Sequence, residues 1–153
     1  MRAARRAVFP NLPWQRCQFH LQQNAQAYVP HVALRPQVAR DLRSVFHTSE
    51  RAEAEERLAK LVEKYRRPAP KLAEWMETNV PEGLAVLALP EPHRRRLRTT
   101  NALERLNREL HRRSRVATLF PNEASLLRLV SAMAAEISEE WETGRIYLNP
   151  ESE

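Results

Sequence analysis

Eleven prolines and only two glycines punctuate the 153 residues, and this content constrains the fold more than any other feature of the sequence. Turns of β-rich folds depend heavily on glycine, whereas proline suits the first turn of a helix and breaks a helix interior. The chain is therefore predicted to be mainly α, with helices that prolines separate. At this length, one ordinary hydrophobic core is the expectation.

Apolar residues recur at helical spacing in several stretches of the chain. We expect helices that carry the stripes Val38, Leu42, Val45 and Phe46, then Leu58, Leu61, Val62 and Tyr65, then Leu72, Trp75 and Met76, and finally Leu126, Leu129, Val130, Met133, Ile137 and Trp141. Arg2–Val8 and Gln22–Tyr28 are weaker helical predictions. Pro36 starts the first striped helix, Thr48 or Ser49 caps the second, and Asn122 and Gly144 bound the last.

One short strand is predicted, at residues 14–19. Trp14, Arg16 and Gln18 alternate there with Gln15, Cys17 and Phe19. An isolated strand is not stable, so this one would need partner strands.

The charge of the chain is concentrated in Arg94–Arg115. This stretch holds nine arginines against Glu104 and Glu109, a local net of +7, although the whole chain carries +6. The remainder is therefore slightly acidic. Such a localised basic surface is typical of a protein that meets a polyanion.

The same stretch has the pattern of an amphipathic helix, with Leu103, Leu106 and Leu110 on one stripe. Arginines lie off that stripe, and a guanidinium matches phosphate oxygens well, so salt-sensitive and non-specific DNA binding is expected. Glu104 has two interpretations at this stage. It completes a capping box with Asn101, which is the commoner arrangement, or it is a metal-binding carboxylate.

Five segments of the sequence resemble the Mutator-type insertion-sequence transposases. They occur in that family's order and are Trp14–Leu21, Thr99–Asn107, Arg112–Val116, Leu119–Asn122 and Glu140–Tyr147.

The resemblance implies a ribonuclease H-like α/β core with a helical insertion, and an Asp-Asp-Glu set that holds Mg²⁺ or Mn²⁺ for DNA strand cleavage and joining. Glu104 would be the catalytic, metal-binding glutamate. Residues 1–20 would be a remnant of the core, 21–90 the helical insertion, and 91–153 the closing core helices. The residues expected to contact transposon ends or target DNA are Arg98, Asn101, Arg105, Arg108, Arg112, Arg113 and Arg115.

The sequence departs from the family pattern in its aspartates. It contains one, Asp41, for which an ion pair with a neighbouring arginine is the expected role. Both catalytic aspartates, the leading strands and the family's N-terminal DNA-binding region would lie before Met1. The chain is thus expected to be the C-terminal portion of a transposase, inactive alone, poorly soluble or partner-dependent, and without tight metal binding.

Cys17 and His20 belong to the family pattern and have a spacing seen in zinc sites, but zinc needs three or four protein ligands. A buried thiol and a locally bonded histidine are the alternative, and the role of the pair stays open. The single cysteine suits a reducing cytoplasm, and no apolar run is long enough to span a membrane. The resemblance implies a bacterial protein that is associated with the nucleoid.

Two function hypotheses follow from the sequence. One is a transposase fragment that takes part in DNA transposition. The alternative is a non-catalytic helical protein that binds DNA or regulates a full-length transposase by associating with it. The chain could also associate with copies of itself as a homo-oligomer.

Overall fold

The computed structural model describes residues 2–116 and 120–143, and every regular element within them is helical. The chain divides into two compact units, Met1–Thr99 and Thr100–Glu153. The mainly α prediction is confirmed. The ribonuclease H-like core and the three predicted domains stay predictions.

The first unit contains six α-helices among its described residues. They are α1 Arg2–Val8, α2 Gln18–Ala25, α3 Arg35–Phe46, α4 Arg51–Arg66, α5 Pro70–Asn79 and α6 Glu91–Leu97. Four short 3₁₀ turns connect them, at Gln26–Tyr28, Val32–Leu34, Val80–Gly83 and Ala85–Ala88.

The core of the first unit is formed by the predicted apolar stripes of α3, α4 and α5. Leu42 on α3, Tyr65 on α4, and Leu72 and Met76 on α5 are all buried, each at most 1% exposed. Leu21 of α2 closes one end of this cluster. Burial of these side chains provides the main driving force for folding of the unit.

Asp41 joins α3 to α4 at the border of this core. Its carboxylate accepts hydrogen bonds from Lys64 Nζ at 2.6 Å, from the Tyr65 hydroxyl at 2.7 Å and from Gln37 Nε2 at 2.8 Å. Asp41 forms an ion pair, as expected, but the predicted partner is wrong, because the charged partner is Lys64 on the next helix and not a neighbouring arginine. Through these three hydrogen bonds, the Asp41 carboxylate holds α3 and α4 together.

The second unit contains α7 Asn101–Val116 and α8 Glu123–Thr143. Asn122 caps α8 as predicted, because its Oδ1 accepts the backbone N–H of Ser125 at 2.8 Å. Met133 and Ile137 are the buried side chains that the described part of α8 contributes. The predicted end of this helix, Gly144, lies outside the described residues.

Two predicted caps are wrong by a residue or two. Glu50 occupies the position before α4 and no side chain caps it, since the Thr48 hydroxyl instead donates to the Val45 carbonyl at the end of α3. Asn101 is the first residue of α7, so Thr100 precedes the helix. In both places a threonine hydroxyl donates to another oxygen, that of Thr48 to the Val45 carbonyl and that of Thr100 to the Glu104 carboxylate.

The predicted strand at residues 14–19 is also wrong. Residues 14–17 form no regular element, and α2 already begins at Gln18. The segment pairs with the 3₁₀ turn Val80–Gly83 instead of with a strand. The Arg16 N–H donates to the Glu82 carbonyl at 2.8 Å, and Nε2 of Gln15 donates to the Gly83 carbonyl at 3.0 Å. No strand lies within the described residues to receive it.

Candidate nucleic-acid interface

The arginines of α7 are arranged on one face of the helix. Arg105, Arg108, Arg112 and Arg115 follow one another at spacings of three, four and three residues, and all four are exposed. Leu103, Leu106 and Leu110 lie on the opposite side by the same periodicity. The helix therefore presents positive charge on one side and apolar surface on the other.

Two of the α7 arginines are neutralised by carboxylates. Arg112 donates to both oxygens of Glu109, at 2.9 and 2.7 Å, and Arg113 donates to Glu109 at 2.8 Å. Arg113 also reaches Glu136 of α8 at 2.7 Å, so it links the two helices of the unit. Arg112 and Arg113 therefore have structural partners, and any contact that they make with DNA would compete with these ion pairs.

The other arginines of the face carry uncompensated charge. Arg105 and Arg115 make no ion pair within the described residues, and Arg108 makes only a long hydrogen bond, 3.4 Å, to the backbone carbonyl of Glu104. No carboxylate in that part of the chain neutralises these three guanidinium groups. They are free to exchange mobile counterions for phosphates.

The electrostatics of this helix also act on Glu109. Hydrogen bonds from Arg112 and then Arg113 lower the pKa of its carboxyl from 4.5 to about 2. Glu109 is therefore ionised throughout the range in which the protein would function. Its negative charge is shared by Arg112 and Arg113 and does not offset the charges of Arg105, Arg108 and Arg115.

Glu104 lies in the first turn of α7 and is exposed. Its Oε1 accepts a hydrogen bond from the Thr100 hydroxyl at 2.8 Å, and its backbone N–H donates to the Thr100 carbonyl at 2.9 Å. The side chain is thus held at the helix start, next to the first uncompensated arginines. This contact fits a structural role for Glu104.

A metal site is not assembled by the described residues alone. No group of three or more His, Cys, Asp or Glu side chains converges within them, so Glu104 has no such set of acidic neighbours there. A two-metal centre needs several carboxylates around ions about 3.5–4 Å apart. The residues present therefore do not fit the Mg²⁺ or Mn²⁺ that the resemblance implies.

The remaining predicted site residues fall in different places. Asn101 is exposed at the start of α7. Arg98 belongs to the first unit, where its backbone carbonyl accepts the N–H of Gln18 at 2.9 Å. Cys17 is buried immediately before α2, whereas His20 is exposed on that helix. No third ligand joins Cys17 and His20 within the described residues to make a zinc site.

Sequence reasoning missed what the segment around Cys17 does. Gln15 Oε1 accepts the N–H of Val86 at 2.9 Å, Gln18 Nε2 donates to the Gly83 carbonyl at 2.9 Å, and Arg16 Nη1 donates to Asn79 Oδ1 at 2.8 Å. Through these hydrogen bonds, the segment holds α2 against the 3₁₀ turns. Its partners are more than 60 residues away in the sequence, so no local pattern could have revealed it.

The fold and the α7 face first define a class of protein. This is a mainly helical chain with an exposed arginine surface that the carboxylates of the described residues do not fully neutralise, and such a surface is of the kind that meets a polyanion. Within that class, residues 1–144 match the family model described as "Transposase, Mutator family". The chain belongs to this family, as the resemblance predicted.

Named relatives of the chain are transposases of insertion sequences. It is 56% identical over 149 residues to the transposase for insertion sequence element IS406 of Burkholderia multivorans, covering 97% of this chain and 38% of that protein. It is 37% identical over 142 residues to the ISRM5 transposase of Rhizobium meliloti, covering 93% and 35%. It is 35% identical over 149 residues to the IS1081 transposase of Mycobacterium tuberculosis, covering 97% and 36%.

The chain thus spans little more than a third of the length of these curated relatives. Their names give no support to the alternative of a non-catalytic regulator. Within the described residues, no helix has the length and apolarity needed to cross a membrane.

Proposed function

We propose that the chain is the C-terminal portion of an insertion-sequence transposase, and that it contributes DNA contacts and one catalytic carboxylate to DNA transposition. The DNA contacts are made by α7, and the carboxylate is that of Glu104. DNA ends or target DNA are the partners, and the fold to which these helices belong is a ribonuclease H-like core.

The observation that supports this proposal is the division of the α7 arginines. Glu109 and Glu136 pair with Arg112 and Arg113, but Arg105, Arg108 and Arg115 have no carboxylate partner within the described residues and lie on one exposed face of α7. A face that served only solubility would have no reason to separate its charges in this way. Guanidinium groups free of carboxylates are suited to phosphate oxygens of a DNA backbone.

Glu104 would act together with two aspartates that this sequence does not contain. Asp41, the single aspartate, is used by Lys64, Tyr65 and Gln37 in the first unit. We propose that Mg²⁺ or Mn²⁺ is held only when carboxylates from outside the 153 residues join Glu104. Until then, the role of this chain's own residues is to bind DNA and to present Glu104 at the start of α7.

The test of the DNA contact is a binding experiment with a labelled DNA duplex, followed by fluorescence anisotropy over a range of salt concentrations. The variant replaces Arg105, Arg108 and Arg115 by glutamine. A matched control replaces Arg35, Arg43 and Arg67 of the first unit, which are exposed and make no ion pair within the described residues. Both variants lose the same charge.

Each phosphate contact contributes about 0.9 to the slope of log affinity against log salt. The α7 variant is therefore expected to lose up to about 2.7 of the slope, while the control keeps the wild-type slope. Equal losses in the two variants would show that only net charge matters and would contradict a DNA-binding face on α7.

A further inference from the structure

A second basic site lies in the first unit. It is a groove of about 680 Å³ between the turn that joins α3 to α4, residues 47–50, and helix α6 with the residue that follows it. Arg94, Arg95 and Arg98 line it. All of its lining residues belong to the first unit, so the groove is a property of that unit alone.

Arg94 shapes this groove. Its Nε donates to the carbonyl of Leu89 at 2.7 Å and its Nη1 donates to the carbonyl of Ser49. The side chain therefore ties α6 to the α3–α4 turn. Because both acceptors are backbone carbonyls, the positive charge of Arg94 is not cancelled by a carboxylate.

Arg95 and Arg98 are available to a ligand. Neither side chain makes a hydrogen bond or an ion pair within the described residues. Arg98 is half-buried, and its backbone is fixed by the hydrogen bond from the Gln18 N–H. A half-buried guanidinium with unused donors on a fixed backbone is preorganised to bind an anion, since little conformational entropy is lost on contact.

The other charges around the groove leave it positive. Glu50 and Glu91 line it as well, against three arginines. Helix α4 begins at the edge of the groove and has no side-chain cap, so its N-terminus adds partial positive charge. An anion with spread charge and several acceptor oxygens matches these donors, and a phosphate diester has both properties.

We propose that this groove binds a backbone phosphate of DNA, and that Arg95 and Arg98 make the contact. The proposal rests on the proposed function, because DNA is taken as the partner of the chain. DNA is favoured over an acidic peptide because the groove arginines belong to the same run, Arg94–Arg115, as the α7 face. The first unit would then contact DNA through this groove, in addition to the contacts made by α7.

The experiment measures DNA affinity against salt for the 153-residue chain and three variants. Arg95→Gln with Arg98→Gln tests the groove, and Arg94 is kept so that the groove retains its shape. Arg43→Gln with Arg67→Gln is the matched control in the same unit, with exposed arginines outside the groove. The α7 variant with Arg105, Arg108 and Arg115 replaced is the third. Thermal melts of all four establish that each one is folded.

The groove variant is expected to lower the slope of log affinity against log salt by about one to two, whereas its control leaves the slope unchanged. A groove variant with the wild-type slope, beside an α7 variant that weakens binding, overturns the groove proposal and leaves the proposed function in place. A wild-type chain that does not bind DNA overturns both.

Two competitors test the identity of the ligand. A poly-glutamate peptide that binds the wild type but not the groove variant, with DNA binding unaltered, would assign the groove to an acidic protein segment and overturn the proposal. A second contrary result would be saturable binding of inorganic phosphate that the groove variant loses, again with no change in DNA affinity. That result would assign the groove to a free anion and would also overturn the proposal.

Discussion

Gly83 is a residue whose smallness the packing requires. A Cβ atom there would lie 2.6 Å from Cδ1 of Leu21 and 3.0 Å from Cε1 of Phe46, both of which are buried core atoms. The carbonyl of Gly83 also accepts hydrogen bonds from Gln15 and Gln18. Space, and not an unusual backbone angle, is the reason for glycine at this position, since no glycine described has a positive φ.

Gly83→Ala is therefore expected to destabilise the first unit by about 1–3 kcal/mol, the usual cost of overpacking a core. Urea unfolding followed by circular dichroism measures the loss. The double-mutant cycle with Leu21→Ala identifies its cause, because removing the Leu21 methyl groups should make Gly83→Ala less costly. A cost that stays the same in the Leu21→Ala background would contradict the steric account.

Asp41 is the second residue whose role is testable by itself. Asp41→Ala leaves the Tyr65 hydroxyl without its acceptor, and the expected loss of stability is about 1–3 kcal/mol. Asp41→Asn keeps an acceptor oxygen and should cost less. A comparison of the two variants in urea unfolding checks the prediction, which would be contradicted by equal losses.

Acid should weaken the same contact. Burial raises the pKa of Asp41, but hydrogen bonds from Lys64, Tyr65 and Gln37 together outweigh burial, so the net pKa lies below the ordinary value of 3.8. A carboxylate with a lowered pKa contributes stability that is fully present above its unfolded pKa and is lost as the pH falls through its folded pKa. The wild type should therefore lose more stability than Asp41→Asn when the pH is taken below 3.8.

At the scale of elements, α7 and α8 are joined by a chain of ion pairs that runs through Arg113. Glu109 sits at its centre, with a pKa lowered to about 2 by Arg112 and Arg113. An NMR titration of the Glu109 carboxyl carbon should give a midpoint near 2, and replacing Arg112 and Arg113 by glutamine should return it towards 4.5. A wild-type midpoint near the ordinary value would show that these pairs do not form in solution.

Helices with a strong stripe were predictable from the sequence, whereas elements held by distant contacts were not. The apolar periodicity of α3, α4 and α5 indicates directly which side chains are buried. In the same local way, Asn122 marks the start of α8. Helix α6 escaped prediction because its seven residues are mostly arginine and proline with no apolar stripe. The segment before α2 looked like a strand because alternation alone does not say whether a partner is a strand or a turn.

The candidate site was predictable to a similar degree. The spacing of the α7 arginines placed them on one face, and the pairing of Arg112 with Glu109 follows the i, i+3 rule for helices. The link from Arg113 to Glu136 joins different helices, so no local pattern contained it. The groove at Arg95 and Arg98 depends in the same way on α6 lying against the α3–α4 turn.

At the scale of the whole molecule, the two units bury very different cores. The first has a continuous cluster that includes Leu42, Tyr65 and Met76. In the described part of the second, the buried apolar side chains are Met133 and Ile137 of α8. Hydrogen exchange measured by mass spectrometry should therefore find slow amides in α3, α4 and α5 and faster ones in α7 and α8. Equal protection of α4 and α7 would contradict this difference.

The most direct test of the central claim, that Glu104 supplies a catalytic carboxylate to a transposase, is a transposition assay with a chimera. The matching segment of the Burkholderia multivorans relative, 56% identical to this chain over 149 residues, is replaced by this chain, and transposition frequency is measured in cells. Glu104→Gln keeps an oxygen that accepts the Thr100 hydrogen bond but removes the charge. Glu123→Gln, in the first turn of α8, is the matched control.

We expect that the chimera transposes, that Glu104→Gln lowers the frequency by at least about 1,000-fold, as loss of a catalytic group does, and that Glu123→Gln changes it little. An active chimera in which Glu104→Gln transposes as well as the Glu123→Gln control would contradict a catalytic role, and Glu104 would then be a helix-start residue only.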